Sequence, residues 1–345
     1  MKDKQTKALG VAVVGAGYWG KNLIRNFRSH KQFELRYVID RPSAVDFEPS
    51  NGEQFIFDLH TAFEDKAVEV VAISTPPESH EEIALLAINA KKHVLIEKPL
   101  ATSVEAGKRI VEAARTAGVV LMCDHTYCYS PAVQMIRDMV LANELGEILF
   151  IDSVRINLGL IQREADVIWD LAPHDLSILD YILPDEMKAK TLSATATDPL
   201  NLGTNCIGYL NIGLKTNVDA HIHVNWLSPT KVRKFVIGGS RKMLVWDDLD
   251  PNQRLTLIDK GVSITKDQLN GEERMKALVG YRSGGLESPA LQEVESLKLV
   301  LDELASSIIQ ERPPRTDGES GLRVVELLEL ASRSVKAGGS PQQVV

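Results

Sequence analysis

Three glycines near the amino end have the spacing of a phosphate-binding turn. Gly15, Gly17 and Gly20 form G-x-G-x-x-G directly after the apolar run at residues 9–14. In such a turn the first glycine permits a tight bend, the second lets a pyrophosphate approach, and the third lets the helix pack on the strand. The helix that begins there presents free N–H groups to the phosphates. The spacing alone is equally typical of an ordinary glycine-rich strand–helix turn.

An acidic residue supports binding of a dinucleotide. Asp40 stands 20 residues beyond Gly20, at the end of the second apolar run, where a carboxylate accepts hydrogen bonds from ribose hydroxyls. The alternative is a solvated carboxylate at a strand end. The negative charge of Asp40 would repel a 2′-phosphate and so favours NAD over NADP, although Arg41 could accept that phosphate. We expect NAD as the cofactor, with Tyr18 and Trp19 of the glycine loop among its contacts.

Two further segments, together with the glycine loop, carry a family resemblance. Residues 94–99 read Val-Leu-Ile-Glu-Lys-Pro, and residues 170–175 read Asp-Leu-Ala-Pro-His-Asp. With Ser-Thr-Pro-Pro at 74–77, the chain resembles the Gfo/Idh/MocA (glucose–fructose oxidoreductase / inositol dehydrogenase) family over nearly its whole length. The glycine loop and the string at 169–175 look like members linked to sugar-nucleotide and polysaccharide biosynthesis.

This resemblance implies three catalytic residues around a reacting carbinol. Lys98 matches the family lysine, while Asp170 and His174 match its D-x-x-x-H pair. A histidine can take the hydroxyl proton at neutral pH, and an ammonium stabilises the developing alkoxide charge. The aspartate would orient the imidazole or bind a sugar hydroxyl. Taken singly, Asp170 could be only a helix N-cap, His174 a core histidine and Lys98 a surface lysine.

Further polar residues are candidates for contacts with the cofactor or the substrate. The loop after the third strong strand could touch the cofactor or be a proline turn capped by Ser79; its candidates are Ser74, Thr75, Pro76 and His80. Glu97, beside the lysine, is counted with the cofactor residues. Substrate phosphate or hydroxyls could be bound by Arg155, Asn157 and Arg163, whose alternative is a solvated surface position.

The composition of the chain limits the kinds of molecule that we expect it to bind. Lys plus Arg number 39 and Asp plus Glu 47, a net charge of −8 that argues against nucleic-acid polymers and anionic membranes. The three cysteines have no C-x-x-C spacing, and His221 with His223 has no suitably spaced partner, so we expect no metal. Sparse cysteines and the lack of a long apolar run indicate a cytoplasmic protein without a membrane span.

The elements that must position these residues change character along the chain. Short apolar strands alternate with helices over residues 1–124, which predicts an NAD-binding Rossmann domain with a parallel, doubly wound sheet. Longer strands with one apolar face, such as 217–226, predict a large open, mostly antiparallel sheet. We therefore expect an α/β fold whose second domain, 125–345, is α+β, binds substrate, mediates oligomerisation and ends in helices at 289–336. Residues 279–288, rich in glycine, are interpreted as a flexible loop.

Two positions depart from the family pattern. The stretch from Asp40 to Phe55 is too short and too rich in Pro and Gly for a regular crossover helix. Asp124 stands where a small residue is expected before His125.

Three functions remain open at this point. The first is an NAD(H)-dependent dehydrogenase or ketoreductase of a sugar, with a nucleotide sugar favoured as substrate. The second is a dehydrogenase of a free sugar or cyclitol such as inositol, and the third is a non-catalytic NAD-binding regulator. The resemblance also implies a homodimer or homotetramer formed through the open sheet.

Overall fold

The computed structural model describes residues 7–41, 49–50, 52–161, 165–264 and 279–344. The chain folds as two compact units, Met1–Ser130 with Val294–Glu329 and Pro131–Glu293 with Leu330–Val345. The sequence-based boundary at residue 124 stays a prediction. The sequence analysis assigned the helices at 289–336 to the second domain, whereas Val294–Glu329 belongs to the first unit.

The strands and helices run in the following order. The elements up to residue 130 are β1 (Leu9–Val14), α1 (Tyr18–Ser29), β2 (Phe33–Ile39), β3 (Gln54–Ile56), α2 (Leu59–Glu64), β4 (Val70–Ile73), α3 (His80–Asn89), β5 (His93–Glu97), α4 (Val104–Ala117) and β6 (Leu121–Asp124). Those that follow are α5 (Pro131–Leu141), β7 (Ile148–Leu158), α6 (Val167–Ile182), β8 (Ala189–Thr197), β9 (Ile207–Leu214), β10 (Asp219–Asn225), β11 (Leu227–Gly239), β12 (Met243–Asp247), β13 (Leu255–Ile264), β14 (Val279–Glu287), α7 (Ser296–Ile309), α8 (Gly318–Lys336) and β15 (Gln342–Gln343).

The first unit is built on a six-stranded parallel sheet. Its strand order is β3-β2-β1-β4-β5-β6, the arrangement of a doubly wound nucleotide-binding fold. All six residues of β1 are buried, as are all four of β4, because helices cover both faces of such a sheet. The predicted parallel Rossmann sheet is confirmed, and the carboxyl ends of its strands form the edge where such folds bind ligands.

The second unit is built on a nine-stranded sheet. The order is β14-β13-β12-β11-β7-β10-β9-β8-β15, and every neighbouring pair is antiparallel except β7 with β10. The alternation predicted for residues 217–226 is confirmed, since the side chains on one face are buried, namely Val218, Ala220, Ile222, Val224 and Trp226. That face packs against α6, where a Cβ on Gly208 would press on Ile168.

The interpretation of residues 279–288 as a flexible loop is wrong. Residues 279–287 form β14, which pairs antiparallel with β13. Glycine has a packing role in this strand, because a Cβ on Gly284 would collide with the carboxylate of Asp259. Glycine at position 284 is therefore explained by the close approach of the Asp259 side chain to the backbone of β14, and not by a loop.

No helix among the described residues is both long enough and apolar enough to span a bilayer.

Candidate active site

Two of the three glycines in the loop are required by the backbone of the turn, and the third leaves open space for a ligand. Gly15 has a φ of +96°, and a Cβ there would lie 2.7 Å from the Ser74 carbonyl oxygen. A Cβ on Gly20 would collide with the Gly15 carbonyl oxygen, so both glycines are required by the turn itself. Gly17 caps α1, and a Cβ added there would meet no other side chain or backbone segment within 4 Å. That open space over a helix N-terminus fits a pyrophosphate.

Asp40 holds the glycine loop from the end of β2. Its Oδ2 accepts the Ala16 N–H at 2.7 Å, and its Oδ1 accepts the Arg41 N–H at 2.7 Å. A carboxylate oxygen can accept more than one hydrogen bond, so the half-buried Asp40 can still accept from ribose hydroxyls. Tyr18 is 90% exposed in the same loop, and Arg41 is exposed. The residues present therefore fit the adenosine end of a dinucleotide.

The loop after β4 packs on the glycine loop. The Ser74 hydroxyl donates to the Gly15 carbonyl oxygen at 2.9 Å, and the Ser79 hydroxyl donates to Thr75 Oγ1 at 2.7 Å. Ser79 makes no side-chain cap hydrogen bond to α3. Ser74, Thr75 and the adjoining Pro76 thus lie beside the glycine turn, and their contacts with a cofactor stay a prediction.

His80 requires a correction. It is 0% exposed, and its Nδ1 and Nε2 lie 2.9 Å from the carbonyl oxygens of Pro99 and Thr75. Burial lowers the pKa of His80. The side chain has no surface to offer a cofactor; it ties the loop after β4 to the loop after β5. Its place behind the loop could not be read from its position in the chain.

Two carboxyl groups lie side by side at the carboxyl ends of β5 and β6. Glu97 and Asp124 are register partners on these strands. Trp19 donates its indole N–H to Asp124 Oδ2 at 3.0 Å, and Thr126 donates to Oδ1 at 2.8 Å. Burial, and next the charge of Asp124, raises the pKa of Glu97 well above its ordinary value. Burial likewise raises the pKa of Asp124.

Asp124 is 1% exposed and supports the glycine loop without facing a ligand, a role that the sequence interpretation missed. Its signal was visible as an aspartate in a position where a small residue was expected. Through Asp124, the indole of Trp19 ties the glycine loop to β6. Lys98 follows directly after Glu97 and is half-buried at this ligand-binding edge of the parallel sheet.

Helix α6 of the second unit brings Asp170 and His174 together. The helix begins at Val167, and its N-cap is Asp166, whose carboxylate accepts the N–H groups of Ile168 and Trp169 at 3.1 Å each. The alternative that Asp170 is the N-cap is therefore wrong. Asp170 lies in the first turn and His174 one turn later, so the two side chains share a helix face. Both are half-buried.

Arg155 also requires a correction. It is 4% exposed and makes a two-pronged ion pair with Asp175, with Nε and Nη2 at 2.8 and 3.0 Å from the two carboxylate oxygens. Ser153 donates to the same carboxylate at 2.8 Å. The Arg155 guanidinium therefore links β7 to α6 and does not face a substrate. The sequence did not indicate this burial, because the apolar neighbours Val154 and Ile156 lie on the half-exposed face and the partner is 20 residues away.

The remaining predicted substrate residues are less defined. Asn157 lies two residues after Arg155 on β7, on the same face, and is half-buried. Arg163 lies outside the described residues.

The described residues hold no group of three side chains suited to a metal ion. On the outer face of the large sheet, His223 stacks on Tyr209 with ring centroids 4.4 Å apart. His221 Nδ1 lies 3.3 Å from Asp152 Oδ1.

The strand order and the glycine loop together define a Rossmann domain of the dinucleotide-binding class. Residues 9–125 match the Gfo/Idh/MocA family described as "Oxidoreductase family, NAD-binding Rossmann fold". The similarity to this oxidoreductase family covers residues 9–125 and not the rest of the chain.

Curated relatives match part of the chain. A 2,7-anhydro-N-acetylneuraminate hydratase of Escherichia coli is 32% identical over 149 residues, 41% of this chain and 38% of that protein. A 1,5-anhydro-D-fructose reductase of Ensifer adhaerens is 36% identical over 132 residues, 35% of this chain and 40% of that protein. An inositol 2-dehydrogenase of Salmonella typhimurium is 24% identical over 184 residues, 48% of this chain and 55% of that protein. The chain thus spans about two fifths to just over half of these relatives.

Solved structures match nearly the whole chain in fold. A protein from Magnetospirillum magnetotacticum described as an oxidoreductase has a TM-score of 0.79 at 26% identity, covering 94% of this chain and 100% of that one. The UDP-N-acetylglucosamine 3-dehydrogenase GnnA from Acidithiobacillus ferrooxidans has a TM-score of 0.79 at 20% identity, covering 96% and 99%. An inositol dehydrogenase homolog from Azotobacter vinelandii, complexed with NADH and myo-inositol, has a TM-score of 0.79 at 19% identity, covering 98% of each chain. At the last two identities the likeness concerns the fold alone.

Proposed function

We propose that this protein is an NAD(H)-dependent oxidoreductase that moves a hydride between the nicotinamide and a secondary hydroxyl or keto carbon of a sugar. The observation that carries the proposal is the glycine loop, in which two glycines are required by the turn and Gly17 alone leaves open space above the N-terminus of α1. Asp40, whose charge disfavours a 2′-phosphate, supports NAD over NADP.

Bound NAD would supply the acceptor for hydride, and NADH the donor. In the oxidative direction His174 would take the proton of the substrate hydroxyl, because a neutral imidazole is a suitable base near neutral pH. Lys98 would stabilise negative charge on the substrate oxygen. Asp170, on the same helix face as His174, would orient the imidazole or bind a neighbouring hydroxyl. A non-catalytic regulator would not need these three residues, and their presence favours an enzyme.

Within sugars, we propose a nucleotide sugar as the substrate. Support comes from the fold shared with a UDP-N-acetylglucosamine 3-dehydrogenase and from the sequence resemblance at residues 169–175. Because Arg155 is engaged with Asp175, binding of the phosphates would depend on other cations, of which Arg163 is a candidate. A free cyclitol is the second candidate, favoured by the match to an inositol 2-dehydrogenase.

The test is a substrate panel with the purified protein. UDP-, dTDP- and GDP-sugars, free hexoses and inositols are each incubated with NAD or NADP while nicotinamide absorbance is followed. We expect turnover with a nucleotide sugar and NAD. Turnover with inositols or free hexoses alone would favour the second candidate. Tight NAD binding without turnover on any compound would favour a regulator.

We also propose that a second copy of the chain covers the outer face of the nine-stranded sheet. Apolar side chains on the face turned away from α6 are half-exposed, namely Phe150, Val154, Ile156, Val236 and Val245. A dimer or tetramer would remove this surface from water. Sedimentation of the parent and of Val236→Glu tests this: we expect an oligomer that the variant weakens, and a monomeric parent would contradict it.

A further inference from the structure

Asp170 is held by a tryptophan from the large sheet. Trp226, the residue between β10 and β11, donates its indole N–H to Asp170 Oδ2 at 3.1 Å. Trp226 is 1% exposed, whereas Asp170 is half-buried in the first turn of α6. The contact therefore links a buried, fixed donor to a carboxylate that remains accessible.

The indole has little freedom to move. The main chain of Trp226 donates to Cys206 O at 3.0 Å and accepts from the Gly159 N–H at 2.8 Å. The chain after β7 also lies close to the ring, since a Cβ on Gly159 would be 2.8 Å from Trp226 Cδ1. With its main chain held on two sides, its ring against Gly159 and only 1% exposure, Trp226 keeps its indole N–H in one direction.

The Trp226 indole is chemically suited to orient the Asp170 carboxylate. An indole nitrogen only donates, so it orients a carboxylate oxygen without exchanging roles as a hydroxyl or an amide could. A hydrogen bond to an ionised acceptor is also stronger than one between neutral groups. Trp226 thereby fixes one Asp170 oxygen and, with it, the direction in which the other points.

We propose that Trp226 is the positioning residue for Asp170, holding that carboxylate in the orientation it needs to act with His174. This inference rests on the proposed function, because it assigns Asp170 a part in turnover. Trp169 provides a natural comparison: it precedes Asp170 on α6, and its indole donates to the Ser332 hydroxyl at 2.8 Å.

The first test concerns the contact and does not depend on activity. The chain has four tryptophans, so its ¹⁵N-labelled form gives four indole N–H signals, and Trp226→Phe and Trp169→Phe assign two of them. We expect Asp170→Ala to move the Trp226 proton signal upfield through loss of the charged acceptor. The Trp19 and Trp246 signals should keep their positions. A Trp226 signal that ignores Asp170→Ala would overturn the proposal.

The second test concerns turnover. Trp226→Phe keeps most of the ring but loses the donor, and we expect kcat to fall about 10- to 100-fold with KM for NAD unchanged. In an Asp170→Ala background the same substitution should change kcat less than about twofold. Trp169→Phe should leave kcat near that of the parent. Equal losses from Trp226→Phe in both backgrounds would mean that the tryptophan only supports the fold, and would refute a positioning role.

A second variant covers the case in which Trp226→Phe does not fold. Gly159→Ala retains the indole but presses on its Cδ1 edge, and we expect a smaller loss of kcat that again disappears in the Asp170→Ala background. If the parent turns over no compound of the panel, the proposed function and the catalytic part of this inference fail together. The indole signals would then still report whether the contact exists.

Discussion

The buried ion pair between Arg155 and Asp175 allows a quantitative prediction for the second unit. Arg155→Met removes the guanidinium but keeps much of the side-chain volume, leaving the Asp175 carboxylate, which is 2% exposed, without its cation. Loss of one partner from such a pair costs about 3–5 kcal/mol. Ser153 still donates to the carboxylate at 2.8 Å. We therefore expect the free energy of unfolding to fall by about 3 kcal/mol, near the lower end of that range.

The assay is urea unfolding followed by circular dichroism, with midpoints and slopes compared among variants. The matched control is Arg25→Met, because Arg25 makes a two-pronged pair with Glu295 at the surface, where the two side chains are 58% and 45% exposed. That substitution should cost less than about 1 kcal/mol. In the double variant Arg155→Met with Asp175→Leu, no buried charge remains from this pair, and stability should return to within about 1 kcal/mol of the parent.

The result that would refute this reasoning is a loss for Arg155→Met no larger than that for Arg25→Met. A double variant no more stable than Arg155→Met would also contradict it, because the cost would then arise from packing and not from an unpaired charge.

Three further predictions concern the first unit. Gly17→Ala should weaken NAD binding about tenfold or more without changing the unfolding midpoint, since its Cβ would enter the open space proposed for the pyrophosphate. Gly20→Ala should lower the unfolding midpoint, because its Cβ meets the Gly15 carbonyl. Equal unfolding midpoints for the two variants would contradict this. Glu97→Gln should become more stable relative to the parent as the pH rises above about 4.5. The pKa of Glu97 is raised in the folded protein, so its contribution to stability is fully present below the unfolded pKa and is lost at higher pH. Urea midpoints of the variant and the parent that change in parallel with pH would refute this. His80→Phe should cost about 1–3 kcal/mol in urea unfolding by removing its contacts with the Thr75 and Pro99 carbonyls, and His60→Phe, at an exposed position, is the control.

Patterns of local origin were readable from the sequence. Strand β1 is one apolar run followed by glycines at fixed spacing, and the turn depends only on which residues tolerate a positive φ or a close backbone contact. The alternation in β10 likewise predicted its buried face, because the side-chain period of a strand is a property of the backbone. Asp170 and His174 share a face for the same reason, four residues being close to one helical turn.

What only the tertiary structure decided depends on partners distant in the chain. Nothing local to Arg155 distinguishes a substrate cation from one committed to Asp175, nor His80 beside a cofactor from His80 behind the loop. The glycines of 279–288 were misread because the Asp259 carboxylate that requires Gly284 belongs to another strand. Trp226 reaches Asp170 across 56 residues. The sequence by itself determined the class of fold and the position of the glycine turn, since both follow from local periodicity and backbone sterics. Which polar side chains face a ligand, and which serve the interior, was decided by long-range packing, because a buried charge or donor must find its partner wherever the fold places one.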